Sequence, residues 1–145
     1  MTEPAGGATD TGITVLVCDD SPAIRSLLAV VIALREGMSV VGEAADGNEA
    51  IAQAELLQPD VILLDLSMPR RTGLDALPEI KRVAPAAHVI VLSGFAASII
   101  EGDVVGNGVV FYLQKGIAPD EILAAIESAV TAGAPETPED GPGRN

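Results

Sequence analysis

Short aliphatic runs alternate along the chain with stretches whose apolar residues recur every three or four positions, and this rhythm predicts the elements. Ile13–Cys18 (ITVLVC) is β-branched and unbroken, a buried strand. Ser21-Pro22 offers an N-cap and a proline for the first helical position. The helix behind it carries Ile24, Leu27, Leu28 and Val31 at helical spacing, runs to about Glu36 and stops at Gly37. Met38–Ala44 is a second strand. Asp46-Gly47-Asn48 then turns the chain into a helix around Glu49–Leu57, which Pro59-Asp60 breaks. Val61–Leu64 is the most hydrophobic run and is expected at the centre of the sheet. A loop with Pro69 and Gly73 leads to a helix near Leu74–Val83, with Leu74, Leu77 and Ile80 inward. His88–Leu92 and Val109–Leu113 are the fourth and fifth strands. Ala96–Val105 between them is a weak helix, because Gly102, Gly106, Gly108 and several β-branched residues lower its propensity. Pro119 opens a final helix whose inner face is Ile122, Ile126, Ala129 and Val130.

Five strands joined through helices must run parallel, with right-handed crossovers. The expected fold class is therefore α/β: a (βα)5 domain over residues 13–132, with an open five-stranded parallel sheet and helices on both faces. Residues 1–12 and 133–145 are small, polar and rich in Gly and Pro, and are expected to be disordered tails. The second reads equally as an end or as a linker to an output domain.

Composition narrows the possibilities. Of 145 residues, 48% are hydrophobic but only 2% aromatic, so the core must be built from Val, Ile, Leu and Ala, which suits strands covered on both faces. The net charge of −13, with eight scattered basic residues, argues against direct binding to nucleic acid or an anionic membrane. One cysteine, Cys18, leaves no internal disulfide. The longest apolar run, Leu27–Leu34, falls far short of the roughly 18 residues of a membrane span. A soluble, cytoplasmic protein is expected.

The candidate chemistry lies where open α/β sheets form their sites, at the carboxyl ends of the strands. Asp19 and Asp20 follow the first strand, Asp65 the third, Ser93 ends the fourth and Lys115 follows the fifth. Any one of these is ordinarily a turn or cap residue; together they predict one cleft with three carboxylates, a hydroxyl and an ammonium. Crowded carboxylates repel, and a hard divalent cation such as Mg²⁺, which takes oxygen ligands and bridges to phosphate, relieves the repulsion. The same ion would let Asp65 attack an anionic phosphoryl group, with Ser93 and Lys115 stabilising the charge on its oxygens.

With VLVCDDSP at 15–22, DVILLDLSMP at 60–69, VIVLSG at 89–94 and FYLQKG at 111–116, the chain resembles the receiver domain of two-component response regulators, the family of the chemotaxis regulator CheY, with its flavodoxin-like fold. The segment VVGEAADGNEAI at 40–51 leans toward receivers of LuxR/NarL-type transcription regulators. The resemblance implies that Asp65 is the phosphoacceptor. It implies that Mg²⁺ is held by Asp20, by Asp19 through water, by Asp65 and by the backbone carbonyl of Ser67. It further implies that Ser93 and Lys115 contact the aspartyl phosphate and that Ser93 and Tyr112 form the switch. The implied donor is a sensor histidine kinase or a phosphotransfer protein. The implied output is a changed surface, formed by the fourth helix, fifth strand and fifth helix, that meets a downstream protein partner or a second copy of the chain. Phe95, two residues past Ser93, stands where the family tunes loss of the phosphoryl group to water.

Some positions depart from the family pattern. Ser93 replaces the commoner threonine, Gly116 stands where proline often follows the lysine, and a trans bond is expected there. Arg71 and Thr72 replace an apolar residue and an Asp or Asn, and Phe111 is bulky where a small residue is usual. Arg70 and Arg71 read as solvated loop charges, His88 as structural and Cys18 as a small buried hydrophobe. Rival functions fit less well. An aspartyl phosphatase of the haloacid dehalogenase type needs a second acid where Ser67 stands, and the acidic loop after the first strand does not suit a flavin phosphate. A docking module without chemistry would have no use for the acids and the lysine. A receiver severed from a DNA-binding output domain is the alternative retained.

Overall fold

The computed structural model describes residues 12–94 and 109–132. Phe95 and the expected helix Ala96–Val105 lie outside these residues. The elements run β1 (Ile13–Cys18), α1 (Pro22–Ala33), β2 (Met38–Ala44), α2 (Gly47–Leu57), β3 (Val61–Leu64), α3 (Gly73–Val83), β4 (His88–Ser93), β5 (Val109–Gln114) and α4 (Pro119–Ala132). All five strands pair in parallel in the order β2-β1-β3-β4-β5, which puts the hydrophobic β3 in the middle, as expected.

Side-chain alternation along the strands splits the core into two layers. Leu16 and Cys18 of β1, Ile62 and Leu64 of β3, and Val89 and Val91 of β4 pack with Ala50 and Ala54 of α2 and Ala76, Leu77 and Ile80 of α3. Their neighbours Val15, Val17, Val61, Leu63, Ile90 and Leu92 face Leu28, Val31 and Ile32 of α1 and Ile122, Ile126 and Ala129 of α4. Each large aliphatic side chain fully removed from water contributes about 1.5–3 kcal/mol, so two dense aliphatic layers substitute for the missing aromatics.

Element boundaries differ from the sequence reading by a few residues. The first helix ends at Ala33, short of Glu36, because Leu34 already caps it and Arg35–Gly37 turns the chain into β2, with Gly37 at φ +89°. Its N-terminus is as expected: Ser21 Oγ accepts from the Ile24 N–H, and Pro22 opens the first turn. The second helix begins at Gly47, two residues early, because Asp46 caps it through the Glu49 N–H. Of the apolar positions at helical spacing in the first helix, Leu27 is 58% exposed; Leu28, Val31 and Ile32 fill the core side, and the stripe Leu27, Val30, Leu34 looks outward. Cys18 is buried and free, and burial, with Asp19 beside it, pushes its thiol up. Among the described residues no helix is long and apolar enough to cross a membrane.

Candidate phosphoacceptor site

The strand order brings the carboxyl ends of β1 and β3 side by side, with Cys18 paired to Leu64, so the next residue of each strand, Asp19 and Asp65, must be neighbours. Backbone bonds fix both: the Asp65 N–H donates to the Cys18 carbonyl at 2.9 Å, and the Asp19 N–H to the Ala44 carbonyl at 2.9 Å. On the other side, Ser93 ends β4 opposite Gln114, and the Lys115 N–H donates to the Ser93 carbonyl at 2.7 Å. The Lys115 ammonium reaches back over the sheet end to Asp19 Oδ2 at 2.8 Å and Asp65 Oδ2 at 3.1 Å. Asp19, Asp65 and Ser93 are buried, at 2%, 3% and 0% exposure, whereas Asp20 is exposed at the rim. One oxygen from each of Asp19, Asp20 and Asp65 lies within 4.8 Å of the others. The five polar residues expected at strand ends thus share one end of the sheet.

The electrostatics are those of a crowded acid site. Burial pushes the Asp65 carboxyl above the usual carboxylate range; the Ser67 N–H, which donates to Oδ1 at 3.0 Å, and the Lys115 ammonium oppose the shift, while the charge of Asp19 adds to it. Burial alone would pull the Lys115 ammonium down, but its hydrogen bonds to Asp19 and Asp65, with their charges, outweigh that and hold it above its ordinary value. Asp19 Oδ1 also accepts from the Ser21 N–H at 2.9 Å, so the helix start after β1 aims this acid into the cleft. A donor set of carboxylate oxygens suits a hard divalent cation and is compatible with Mg²⁺.

Comparison with known proteins decides the family. The family described as response regulator receiver domain matches residues 15–127. The chain belongs to it. The chain is 40% identical over 119 residues to the transcriptional regulatory protein PdtaR of Mycobacterium tuberculosis, covering 81% of this chain and 56% of PdtaR. It is 37% identical over 119 residues to the nitrate/nitrite response regulator protein NarL of Escherichia coli, covering 80% and 54%. This receiver therefore spans just over half the length of those two relatives. Among solved structures, the response regulator domain of Thermotoga maritima CheB superposes with a TM-score of 0.77 at 35% identity, over 83% of this chain and 97% of that one.

The remaining expectations for the receiver fall out unevenly. Ser67 follows Asp65 by two residues, exposed, its N–H tied to the acid. Tyr112 is half-buried against the layer formed with α2 and α3. The Lys115–Gly116 bond is trans, and Gly116 takes φ +100°, a conformation that favours glycine where other receivers place proline. The expected partner surface includes residues 96–105, outside the described ones.

Arg70 is a solvated loop charge, 62% exposed, but it has a partner that the sequence did not indicate: its Nε donates to Asp46 Oδ2 at 2.5 Å, and Arg71 Nη1 lies 3.4 Å from Asn48 Oδ1. The Asp46-Gly47-Asn48 turn therefore grips the loop that follows Asp65, and the Gly47 N–H donates to the Arg71 carbonyl at 2.7 Å. A Cβ on Gly47 would meet that carbonyl at 2.6 Å, and a Cβ on Gly73 would sit 2.1 Å from the Asp65 carbonyl. Sequence reasoning missed Asp46 because an Asp-Gly pair signals a turn and carries no hint of a partner 24 residues away.

Proposed function

We propose that this receiver accepts a phosphoryl group on Asp65 in a Mg²⁺-dependent reaction and thereby acts as a signalling switch in a two-component pathway. The observation that carries the reading is the Lys115 ammonium bridging Asp19 and Asp65 at 2.8 and 3.1 Å. Two buried acids held together by one amine form a site with surplus negative charge, which suits a divalent cation and then a phosphoryl group. Asp19, Asp20, Asp65 and the Ser67 carbonyl would hold Mg²⁺, which neutralises charge on the attacking carboxylate and the phosphoryl oxygens.

In the reaction an Asp65 oxygen bonds to phosphorus as the phosphorus–nitrogen bond of a partner's phosphohistidine breaks, and the electron pair leaves with the imidazole. Lys115 and the Ser93 hydroxyl stabilise the phosphoryl oxygens, and Lys115 exchanges its carboxylate partner for the new phosphate. The same exchange draws in the end of β4 and lets Tyr112 respond on the neighbouring strand, changing the surface offered to a downstream protein. The outward face of α1 supports a protein donor: Leu27, Val30 and Leu34 are exposed, and a cleft of about 120 Å³ between α1, Ile117, Pro119 and Ile122 reaches Lys115. A phosphohistidine on a docked partner would approach Asp65 from that side.

The test is incubation with acetyl phosphate and Mg²⁺, read by intact mass. The parent gains one phosphate and Asp65→Asn gains none; a gain of equal size in both would overturn the assignment. A second reading, a receiver that belongs to a longer LuxR/NarL-type regulator, is favoured by coverage of only 56% of PdtaR and 54% of NarL. A helix-turn-helix coding segment in frame after residue 145 would establish it.

A further inference from the structure

Arg70 adopts φ +63°, a left-handed backbone that strains any residue with a Cβ. The other described residue of this kind, Gln58 at φ +46°, caps the end of α2, where left-handed geometry is common. Arg70 caps no helix. It sits five residues after Asp65, in the loop from Ser67 to Thr72, and something must hold it there.

Two contacts close on it: the Arg71 N–H donates across the turn to the Pro69 carbonyl at 2.6 Å, and the Arg70 side chain, 62% exposed, reaches Asp46. Asp46 is buried, and both of its carboxylate oxygens are committed: Oδ1 accepts from the Glu49 N–H at 2.8 Å and caps α2, and Oδ2 accepts from Arg70 Nε at 2.5 Å. Backbone bonds complete the attachment, from the Gly47 N–H to the Arg71 carbonyl at 2.7 Å and from the Gly73 N–H to the Leu66 carbonyl at 3.1 Å. The span Ser67–Pro69 is thus held at one end by the Ser67 N–H on Asp65 Oδ1 at 3.0 Å and at the other by the turn at residue 70.

We propose that the Asp46–Arg70 ion pair is a positioning device for the metal site: it holds residue 70 in its left-handed turn so that the Ser67 carbonyl faces the cation. The inference rests on the reading that Asp19, Asp20, Asp65 and Ser67 bind Mg²⁺. Neither Asp46 nor Arg70 touches the cation; both act through the loop. The strain at residue 70 is offset by the ion pair, and glycine at the same position would need no offset. That difference separates backbone positioning from a bulk effect of charge.

Mg²⁺ affinity of the full 145-residue chain, measured by isothermal titration calorimetry without phosphodonor, tests this. Arg70→Ala keeps a Cβ and loses the pair, and Asp46→Ser keeps a helix cap but is too short to reach Arg70. Both are expected to weaken Mg²⁺ binding about tenfold, the usual range for groups that orient a ligand. Arg70→Gly also loses the pair but accepts the turn, and is expected to bind as the parent does. Parent-like binding by Arg70→Ala or Asp46→Ser, or an Arg70→Gly affinity closer to that of Arg70→Ala than to the parent, overturns the proposal. A parent chain that binds no Mg²⁺ overturns it together with the metal site itself.

Discussion

Replacing Lys115 with methionine, which keeps most of the shape and removes the charge, probes the site most sharply. The ammonium lies 2.8 Å from Asp19 Oδ2 and 3.1 Å from Asp65 Oδ2. With an effective permittivity of about 20, each contact corresponds to about 5–6 kcal/mol of gross attraction. The two acids, with oxygens within 4.8 Å, repel by about 3 kcal/mol or more on the same scale. Desolvation of the three groups offsets most of the attraction, and Lys115 is 26% exposed, so the net loss expected in metal-free protein at neutral pH is about 2–3 kcal/mol. The pH dependence has a definite sign. Without the ammonium, Asp65 is driven further above the ordinary carboxylate range, so the variant takes up a proton more readily and its deficit shrinks as the pH falls. Mg²⁺ brings two positive charges to the same oxygens, so it should stabilise Lys115→Met by more than it stabilises the parent. Urea unfolding at neutral and mildly acidic pH, with chelator or with saturating Mg²⁺, reads all three effects. Equal stability of variant and parent in chelator at neutral pH, with the same gain from Mg²⁺ in both, would refute the electrostatic reasoning.

Carbon-13 titration of the Asp65 carboxyl in chelator should give a midpoint above the ordinary carboxylate range, because burial disfavours its charge. Since the folded value is the raised one, this acid makes the fold less stable as pH rises from the unfolded carboxylate value through the folded one; Asp65→Asn should abolish that dependence, and a midpoint at or below the ordinary value would contradict it. Gly73→Ala should cost about 3 kcal/mol or more in urea unfolding, because its Cβ would lie 2.1 Å from the Asp65 carbonyl, and a loss under about 1 kcal/mol would show that the loop yields. Thr72→Ala removes the cap in which Thr72 Oγ1 accepts from the Asp75 N–H at 3.0 Å, and should cost about 1 kcal/mol while leaving Mg²⁺ affinity unchanged.

Much of this molecule is legible in its sequence because strand order and side-chain period do the geometric work. Once Ile13–Cys18 and Val61–Leu64 are read as parallel neighbours, Asp19 and Asp65 have nowhere to go but beside each other. Ser21-Pro22 marks the start of α1 by its own chemistry. What escaped is decided by pairs distant in sequence. Leu27 and Leu28 are adjacent and each falls at helical spacing from Ile24 or Val31, and only the packing of α1 on the sheet determines which faces out. The Asp46–Arg70 contact joins two loops whose sequences each read as polar turns, and neither names the other.

The central claim concerns one carboxylate, and the most direct measurement locates the phosphoryl group on the chain. Protein treated with acetyl phosphate and Mg²⁺, then reduced with borohydride and digested, should yield homoserine at position 65 by peptide mass spectrometry, and chelator should abolish it. Homoserine at another aspartate, or none at residue 65 when Mg²⁺ is present, would contradict the account.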